Sequence, residues 1–269
     1  MQSEWCRKRV NILGVKVSAI VMRDATTAIE TWIRERTPNY VCVTGVHGVM
    51  ASQQDAGLAH IHNMSGLTVP DGMPLVWMAH QLGFPGVERV YGPDLMLEMT
   101  ALSARHGYRN FYYGGSVTTV AQLKETLERR YPGLNVVGAI SPPFRPLTAG
   151  EDDELVAQIT EARPDIVWVG LSTPKQERWM KTHVGRIGVP ALVGVGAAFD
   201  FLSGNKRQAP RWMQRNGFEW LFRMGTEPRR LAGRYLRNNP AFVCKALAQI
   251  AAPHRYPQTY AETLITKMG

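Results

Sequence analysis

Short apolar runs, each stopped by a glycine or a polar cluster, alternate along the chain with stretches of helical period. Val10 to Ile20 reads as a first strand pair, punctuated by Asn11, Gly14 and Lys16. Asp24 is placed to cap a helix from Ala25 to Arg36, which Thr37-Pro38 ends. Tyr40 to Thr44 is a buried strand stopping at Gly45, and a short helix through His47 to Met50 follows. A helix over Ala56 to Asn63 leads to the strand Leu67 to Val69, which delivers Pro70-Asp71-Gly72 at its carboxyl end. Met73 to Leu82 is helical, Tyr91 to Asp94 a turn, and Leu95 to Arg105 a helix. Asn110 to Tyr113 is a strand ending in Gly114-Gly115-Ser116, with a helix from Val117 to Arg130. Leu134 to Ile140 is a further strand, Ser141 to Leu147 a proline-rich loop, and Glu151 to Ala162 a helix.

The stretch from Arg163 to Trp212 organises the rest. Ile166 to Val169 stops at Gly170, a polar loop follows, and Pro174 stands at the first position of a helix running on through Trp179. Val189 to Val195 is the next strand, followed by Gly196 and Phe199-Asp200-Phe201. Strand, glycine, loop, helix, strand is the pattern of a parallel βαβ unit, so the chain is expected to be α/β with a doubly wound sheet. Ligands of such sheets sit beyond the carboxyl ends of the strands, where Lys175, Gln176 and Asp200 fall. An ordinary crossover with a solvated loop would carry the same pattern. After Ser203 no strand appears, and 212–223, 228–237 and 240–250 read as helices. The expected division is therefore a catalytic α/β domain over 1–203 and a basic helical C-terminal appendage over 204–269.

Charge sharpens that division. The net charge is +9, and from Gly204 onward twelve lysines and arginines face three acids, so the tail holds the whole excess. That asymmetry points to an anionic partner. Arginines alternate there with Trp212, Trp220, Leu221, Phe222, Leu231, Tyr235 and Phe242, which suits an anionic membrane surface. A solvated helical bundle is the alternative, and no nucleic-acid motif accompanies the charge. Cys6, Cys42 and Cys244 are widely spaced, which gives no disulfide framework or zinc pattern and favours a reducing compartment. Met1 to Val10 has no apolar stretch of signal-peptide length, and no run is long enough to span a bilayer.

Candidate chemistry is sparse and specific. Pro70 and Gly72 frame Asp71, whose carboxylate could take a proton from an acceptor hydroxyl, although Pro-Asp-Gly is also a common turn. Gly114-Gly115-Ser116 could offer backbone N–H groups to a phosphate or could be a tight strand-to-helix turn. It completes neither a dinucleotide fingerprint nor a Walker loop, which argues against a nicotinamide-dependent oxidoreductase. His60 and His62 stand two apart and diverge on a helix, so with His47 they make no metal site, and no metal is expected.

Several motifs together resemble the WecG/TagA/CpsF family of bacterial glycosyltransferases. They are Pro70-Asp71-Gly72, Arg89 to Leu95, Tyr113-Gly114-Gly115, Pro164-Asp165 through Pro174 to Trp179, and Gly194 to Phe201 with Gly204. Ala209 to Trp212, Glu219 to Arg223 and Glu227 to Arg230 complete the ordered set, which covers roughly residues 10 to 240. The resemblance implies a Rossmann-like parallel sheet with helices on both faces and a basic C-terminal appendage. It implies an inverting, metal-independent enzyme with no cofactor, on the cytoplasmic face of the membrane. Such enzymes move a sugar, often N-acetylmannosamine or its uronic acid, from a UDP-sugar donor onto a polyprenyl-pyrophosphate-linked acceptor.

By that resemblance Asp71 matches the general base, Thr44 the threonine of a Thr-x-Asn segment, Arg89 a pocket arginine and Gln176 a pocket glutamine. One departure stands out. The asparagine is absent from Thr44-Gly45-Val46-His47, and His47 is the candidate to replace its hydrogen bond. Helix N-termini, Lys175 and the tail's Arg211, Arg215, Arg223 and Arg230 are the candidates for the leaving diphosphate. Asp200 and Phe144 are the candidates for the ribose or uracil. A nucleotide-binding membrane adaptor without turnover is the alternative function, and self-association into a homo-oligomer is left open.

Overall fold

A computed structural model of the 269-residue chain describes residues 8–258. Cys6, Glu262, Lys267 and most of the Met1 to Val10 segment lie outside the described residues. The elements run β1 (Arg9–Ile12), β2 (Val15–Ser18), α1 (Met22–Glu35), β3 (Asn39–Thr44), α2 (Val46–Ser52), α3 (Ala56–Met64), β4 (Leu67–Pro70) and α4 (Met73–Gln81). They continue with α5 (Gly92–His106), β5 (Arg109–Gly114), α6 (Val117–Arg130), β6 (Asn135–Ile140), α7 (Ala149–Ala162), β7 (Ile166–Gly170), α8 (Lys175–His183) and β8 (Ala191–Gly194). The last are α9 (Ala198–Leu202), α10 (Arg211–Arg215), α11 (Glu219–Thr226) and α12 (Pro228–Ala251).

Six strands form one sheet in the order β4-β3-β8-β7-β5-β6, and β1 with β2 forms an antiparallel ribbon. β3 with β8, β8 with β7, β7 with β5 and β5 with β6 all pair in parallel. With helices flanking the sheet, the expected α/β, Rossmann-like class is what forms. β8 is buried along its whole length and β7 up to Val169, which is why both read as unbroken apolar runs. The chain divides into two compact units, residues 8–24, 44–90 and 209–258 in the first and 25–43 and 91–208 in the second.

The first unit is built around its hairpin. Leu13 (φ 50°) and Gly14 (φ 85°) form the two-residue turn, and both are left-handed, as a type I′ hairpin turn requires. A left-handed non-glycine residue costs about 1–2 kcal/mol. Leu13 is fully buried, and burying a leucine side chain returns about 1.5–3 kcal/mol, so packing wins over local preference. Buried amides hold the tip. Leu13 N–H donates to Gln249 Oε1 (2.8 Å), Gln249 Nε2 donates to the Asn11 carbonyl (2.6 Å), and Gln53 Nε2 donates to the Leu13 carbonyl. From α3, Asn63 donates to the Gly14 carbonyl and accepts from Lys16 N–H (3.0 and 2.7 Å). Phe242 and Ala246 of α12 join one apolar cluster with Val10, Ile12, Val15, Val17, Val49 and Met50. The basic tail thus contributes to the core around the chain's first strands.

In the second unit Trp168, fully buried on β7, donates from Nε1 to Asn110 Oδ1 (2.9 Å). Asp165 accepts from Arg109 N–H (2.9 Å), donates its own N–H to the Arg109 carbonyl (2.8 Å) and pairs with Arg36 (2.6 Å). The Pro164-Asp165 motif therefore starts β7 in register with β5.

Four element boundaries differ from the sequence reading. α1 begins at Met22, and Asp24 reaches back from its first turn to Val21 N–H (3.1 Å) rather than capping the helix. Gly92 to Asp94 open α5 instead of forming a turn, because Pro93 sits where a helix needs no N–H. The stretch from Trp212 to Arg223 is two helices, broken at Gly217 (φ 73°), where a Cβ would lie 2.5 Å from Trp77 Cη2. Pro240, expected to separate two helices, lies inside α12 on an exposed side.

Replacing Gln249 with methionine leaves the buried Leu13 N–H unmatched, a loss of about 1–3 kcal/mol, while the Asn11 carbonyl keeps the Gln258 amide (3.3 Å). The Gln249→Met variant is expected to unfold at lower urea concentration than the parent, whereas Leu247→Ser, on the exposed side of the same helix, leaves the midpoint nearly unchanged.

Candidate active site

In the first unit the polar residues gather at the carboxyl ends of β3 and β4. Asp71, one residue past β4, donates its N–H to the carbonyl of Thr44, the last and buried residue of β3 (2.9 Å). Gly45 leaves room beside it, since a Cβ there would lie 4.0 Å from Asp71 Oδ2. Arg89 then fixes the Asp71 segment. Its Nε donates to the Asp71 carbonyl, its Nη2 pairs with Glu219 at the start of α11, and Nη1 lies 3.4 Å from the Gln214 carbonyl. Both members of the Arg89–Glu219 pair are largely buried.

Of the α12 residues near this loop, the sequence offers Arg230 and Arg234 as tail cations and Tyr235 as a tail aromatic, and it does not single out Asn238. Burial pushes the Tyr235 hydroxyl up; the charges of Arg223 and Arg234 oppose that, and those of Glu219 and Asp71 add to it. Tyr235 therefore lies within electrostatic reach of the Asp71 carboxylate and two arginines. Burial pulls the Arg234 guanidinium down, Tyr235 opposes this, and repulsion from Arg223 and Arg230 reinforces it. Arg234 Nε is buried with no hydrogen-bond partner among the described residues. His47, in the first turn of α2, accepts a hydrogen bond at Nδ1 from Asn238 Nδ2 (3.2 Å), and burial followed by the Arg234 charge pushes its imidazole down to about 4. The structure thus gathers Thr44, His47, Asp71 and Arg89 with Arg223, Arg234, Tyr235 and Asn238. Arg211 and Arg215 are exposed, with Arg211 on Gln214 Oε1 (3.2 Å), and Arg230 is exposed and paired with Glu227 (2.6 Å).

The second unit has its own polar cluster, at the carboxyl ends of β5, β7 and β8. Gly114 (φ 130°) lets β5 touch β7, since a Cβ there would lie 2.6 Å from the Gly170 carbonyl. Gly115 N–H donates to that carbonyl (3.2 Å), and Ser116 Oγ caps α6 by accepting from Thr119 N–H (3.1 Å). These groups close the strand-to-helix turn. Gln176 lies buried against Gly194 and Gly196, donates from Nε2 to Glu177 Oε1 (3.1 Å), and keeps Oε1 without a partner among the described residues. Glu177 Oε1 also accepts from Thr173 Oγ1 (2.8 Å), while its buried Oε2 likewise has no partner there. Burial raises the Glu177 carboxyl against the opposing pull of these hydrogen bonds. Lys175 is exposed, Asp200 is paired with Lys206 (2.8 Å), and Phe144 is 93% exposed on its loop.

His62 is buried, with Nδ1 3.0 Å from the Leu58 carbonyl, and burial pushes it down to about 4, a core histidine. Among the described residues no three His, Cys, Asp or Glu side chains group as metal ligands would, and no helix is long and apolar enough to cross a membrane.

Comparison with known proteins agrees with this arrangement of motifs. Residues 10–256 match the family described as the glycosyl transferase WecG/TagA/CpsF family. Among curated relatives are proteins of Staphylococcus aureus strains NCTC 8325 / PS 47 and COL, each 27% identical over 239 residues, or 88% of this chain and 91% of the relative. The protein of strain MRSA252 matches at the same identity and coverage. All three are named N-acetylglucosaminyldiphosphoundecaprenol N-acetyl-beta-D-mannosaminyltransferase.

The raised Glu177 carboxyl has a consequence for stability. The folded state holds that proton more tightly than the unfolded chain, so stability is lost as pH rises from the ordinary carboxylate range through the folded value. Glu177→Gln, which cannot ionise, should be more resistant to urea than the parent at pH 8. The advantage should shrink or reverse toward pH 4, and a pH-independent difference would contradict the assignment.

Proposed function

The chain belongs to the glycosyl transferase WecG/TagA/CpsF family, and from that premise we propose that it moves a sugar from a UDP-sugar onto a polyprenyl-pyrophosphate-linked sugar, with inversion and without a metal. The donor is an N-acetylmannosamine-like sugar or another hexose. The names of the relatives support the class of acceptor. The observation that carries the reading is the placement of Asp71, pinned to the Thr44 carbonyl and held by Arg89, beside a Tyr235 that also feels the charges of Arg223 and Arg234.

Asp71 takes the proton of the acceptor hydroxyl as that oxygen bonds to the anomeric carbon. The bond from the anomeric carbon to the diphosphate oxygen breaks, and its electron pair leaves with UDP. Charge grows on that oxygen, and preorganised cations stabilise it best where water is scarce. Arg223 and Arg234 are the partly buried candidates, with Arg230 at the exposed edge. An incoming diphosphate relieves the mutual repulsion of these guanidiniums, and their positive charges do what a divalent metal would do for the leaving oxygen.

Asp71→Asn should lower UDP release with a lipid-linked acceptor by ~10²–10⁴ while UDP still binds, and near-parental turnover would remove Asp71 from the chemistry. Activity should persist in EDTA, and loss restored by Mg²⁺ or Mn²⁺ would refute metal independence.

The tail also fits an enzyme working on the inner face of the cytoplasmic membrane. Leu236, Val243, Leu247 and Ile250 recur at helical spacing as an exposed apolar stripe of α12, distinct from the buried stripe of Leu231, Phe242, Ala246 and Gln249. Arginines flank both. Binding to anionic vesicles should weaken with salt, because surface attraction is screened over ~8 Å at physiological ionic strength. Apolar contact through Val243 and Leu247 would not be screened, so replacing both with serine should release the protein at low salt as well. Retention of that variant on vesicles would count against an interfacial α12.

A further inference from the structure

Two side-chain amides bracket the apolar contacts of α12. Gln249 sits at the hairpin tip, and Asn238 lies one turn before Phe242 on the same face. Asn238 Nδ2 stands 3.2 Å from His47 Nδ1. With the amide nitrogen turned to the ring it can only donate, which makes Nδ1 the lone-pair nitrogen of a neutral ring. A neutral imidazole carries one proton, which then resides on Nε2. His47 is only half-buried, and no hydrogen bond from its Nε2 is made among the described residues.

The electrical surroundings keep the ring neutral. Burial and then the Arg234 charge disfavour imidazolium, with Arg223 and Arg230 adjoining Arg234. Glu219 and Asp71 act on Tyr235 within the same cluster, and Glu227 pairs with Arg230 at its edge (2.6 Å). With its ring value pushed down to about 4, His47 is neutral near pH 7.

We propose that Asn238 is a positioning residue that fixes His47 in the Nε2–H tautomer, so that His47 meets an acceptor oxygen of a sugar substrate as a hydrogen-bond donor. The inference rests on sugar transfer at Asp71 and deepens it: specificity at this point reads an oxygen, carbonyl or hydroxyl, rather than an N–H. That oxygen belongs either to the donor sugar or to the acceptor sugar, and the two have separate kinetic signatures.

Imidazole ¹⁵N shifts of the substrate-free protein read the tautomer directly. The parent should show His47 protonated at Nε2. Asn238→Asp places a carboxylate that accepts from Nδ1–H, so it should reverse the tautomer and raise the ring's pKa. Asn238→Leu should leave the tautomer unfixed, with urea midpoints and circular dichroism confirming that both variants fold. Kinetically, Asn238→Asp should raise KM for one sugar substrate by about tenfold while changing kcat little. A rise confined to the UDP-sugar places the oxygen on the donor, and one confined to the lipid-linked substrate places it on the acceptor. An Nδ1–H tautomer in the parent, or a reversed tautomer that leaves both KM values unchanged, would overturn the proposal. Absence of UDP release by the parent with every sugar tried would instead overturn the transferase reading, while the tautomer is still read from the spectra.

Discussion

The first unit closes on one buried side chain. Gln249 gives a hydrogen bond to the Asn11 carbonyl and takes one from Leu13 N–H, satisfying the hairpin tip on both counts. Turning α12 by a single residue would swing Gln249 about 100° off that tip. The same turn would carry Asn238 off His47, and Arg234 and Tyr235 with it. Register set at the hairpin is therefore what places the tail's polar side beside the Asp71 loop. Arg89 adds a second tie, from α11 through Glu219 to the Asp71 carbonyl.

The two units differ in what they can hold. The first carries half-buried guanidiniums that repel one another, an arrangement that is unfavourable until an anion arrives. The second carries buried acceptors without donors among the described residues, Gln176 Oε1 and Glu177 Oε2, and its Asp200 is matched by Lys206. One set suits negative charge and the other suits neutral donor groups. The glycines of the second unit serve packing. Gly114 and Gly170 let a strand and Phe199 approach, and the Gly115 N–H is spent on the Gly170 carbonyl.

Most elements were legible because their signal is local. The parallel strands are short apolar runs with glycine stops, and α6 starts and ends where Ser116 and Tyr131-Pro132 place it. Three of the four differing boundaries turn on Pro93, Gly217 and Pro240, whose context overrides the average tendency of glycine and proline, and the fourth turns on Asp24, which reaches back to Val21 N–H. Pro240 tolerates a helix interior because its side of α12 is exposed, and Gly217 breaks a helix because Trp77 presses on it. In the site, Thr44, Asp71 and Arg89 could be picked out because motifs carry them. Arg234 and Tyr235 stood out only as one cation and one aromatic among many in the tail, and Asn238 not at all, since their place comes from meeting residues far earlier in the chain, such as His47, 191 positions from Asn238. The one local hint was Arg230-x-x-x-Arg234-x-x-x-Asn238, a helical spacing that puts all three on neighbouring turns.

The discontinuity of the first unit also has a history in time. Leu13 leaves the ribosome early, while Gln249 is added 236 residues later. At a synthesis rate of ~5–20 residues per second, the nascent hairpin waits on the order of ten to fifty seconds for its partner. Throughout that interval the apolar side of Val10, Ile12, Val15 and Val17 lacks Phe242 and Ala246. The second unit, completed by residue 208, needs no later residue of its own. The apolar side of the hairpin is therefore open to nascent-chain chaperones for longer than any part of the second unit, whose last residue is added some forty positions before Gln249.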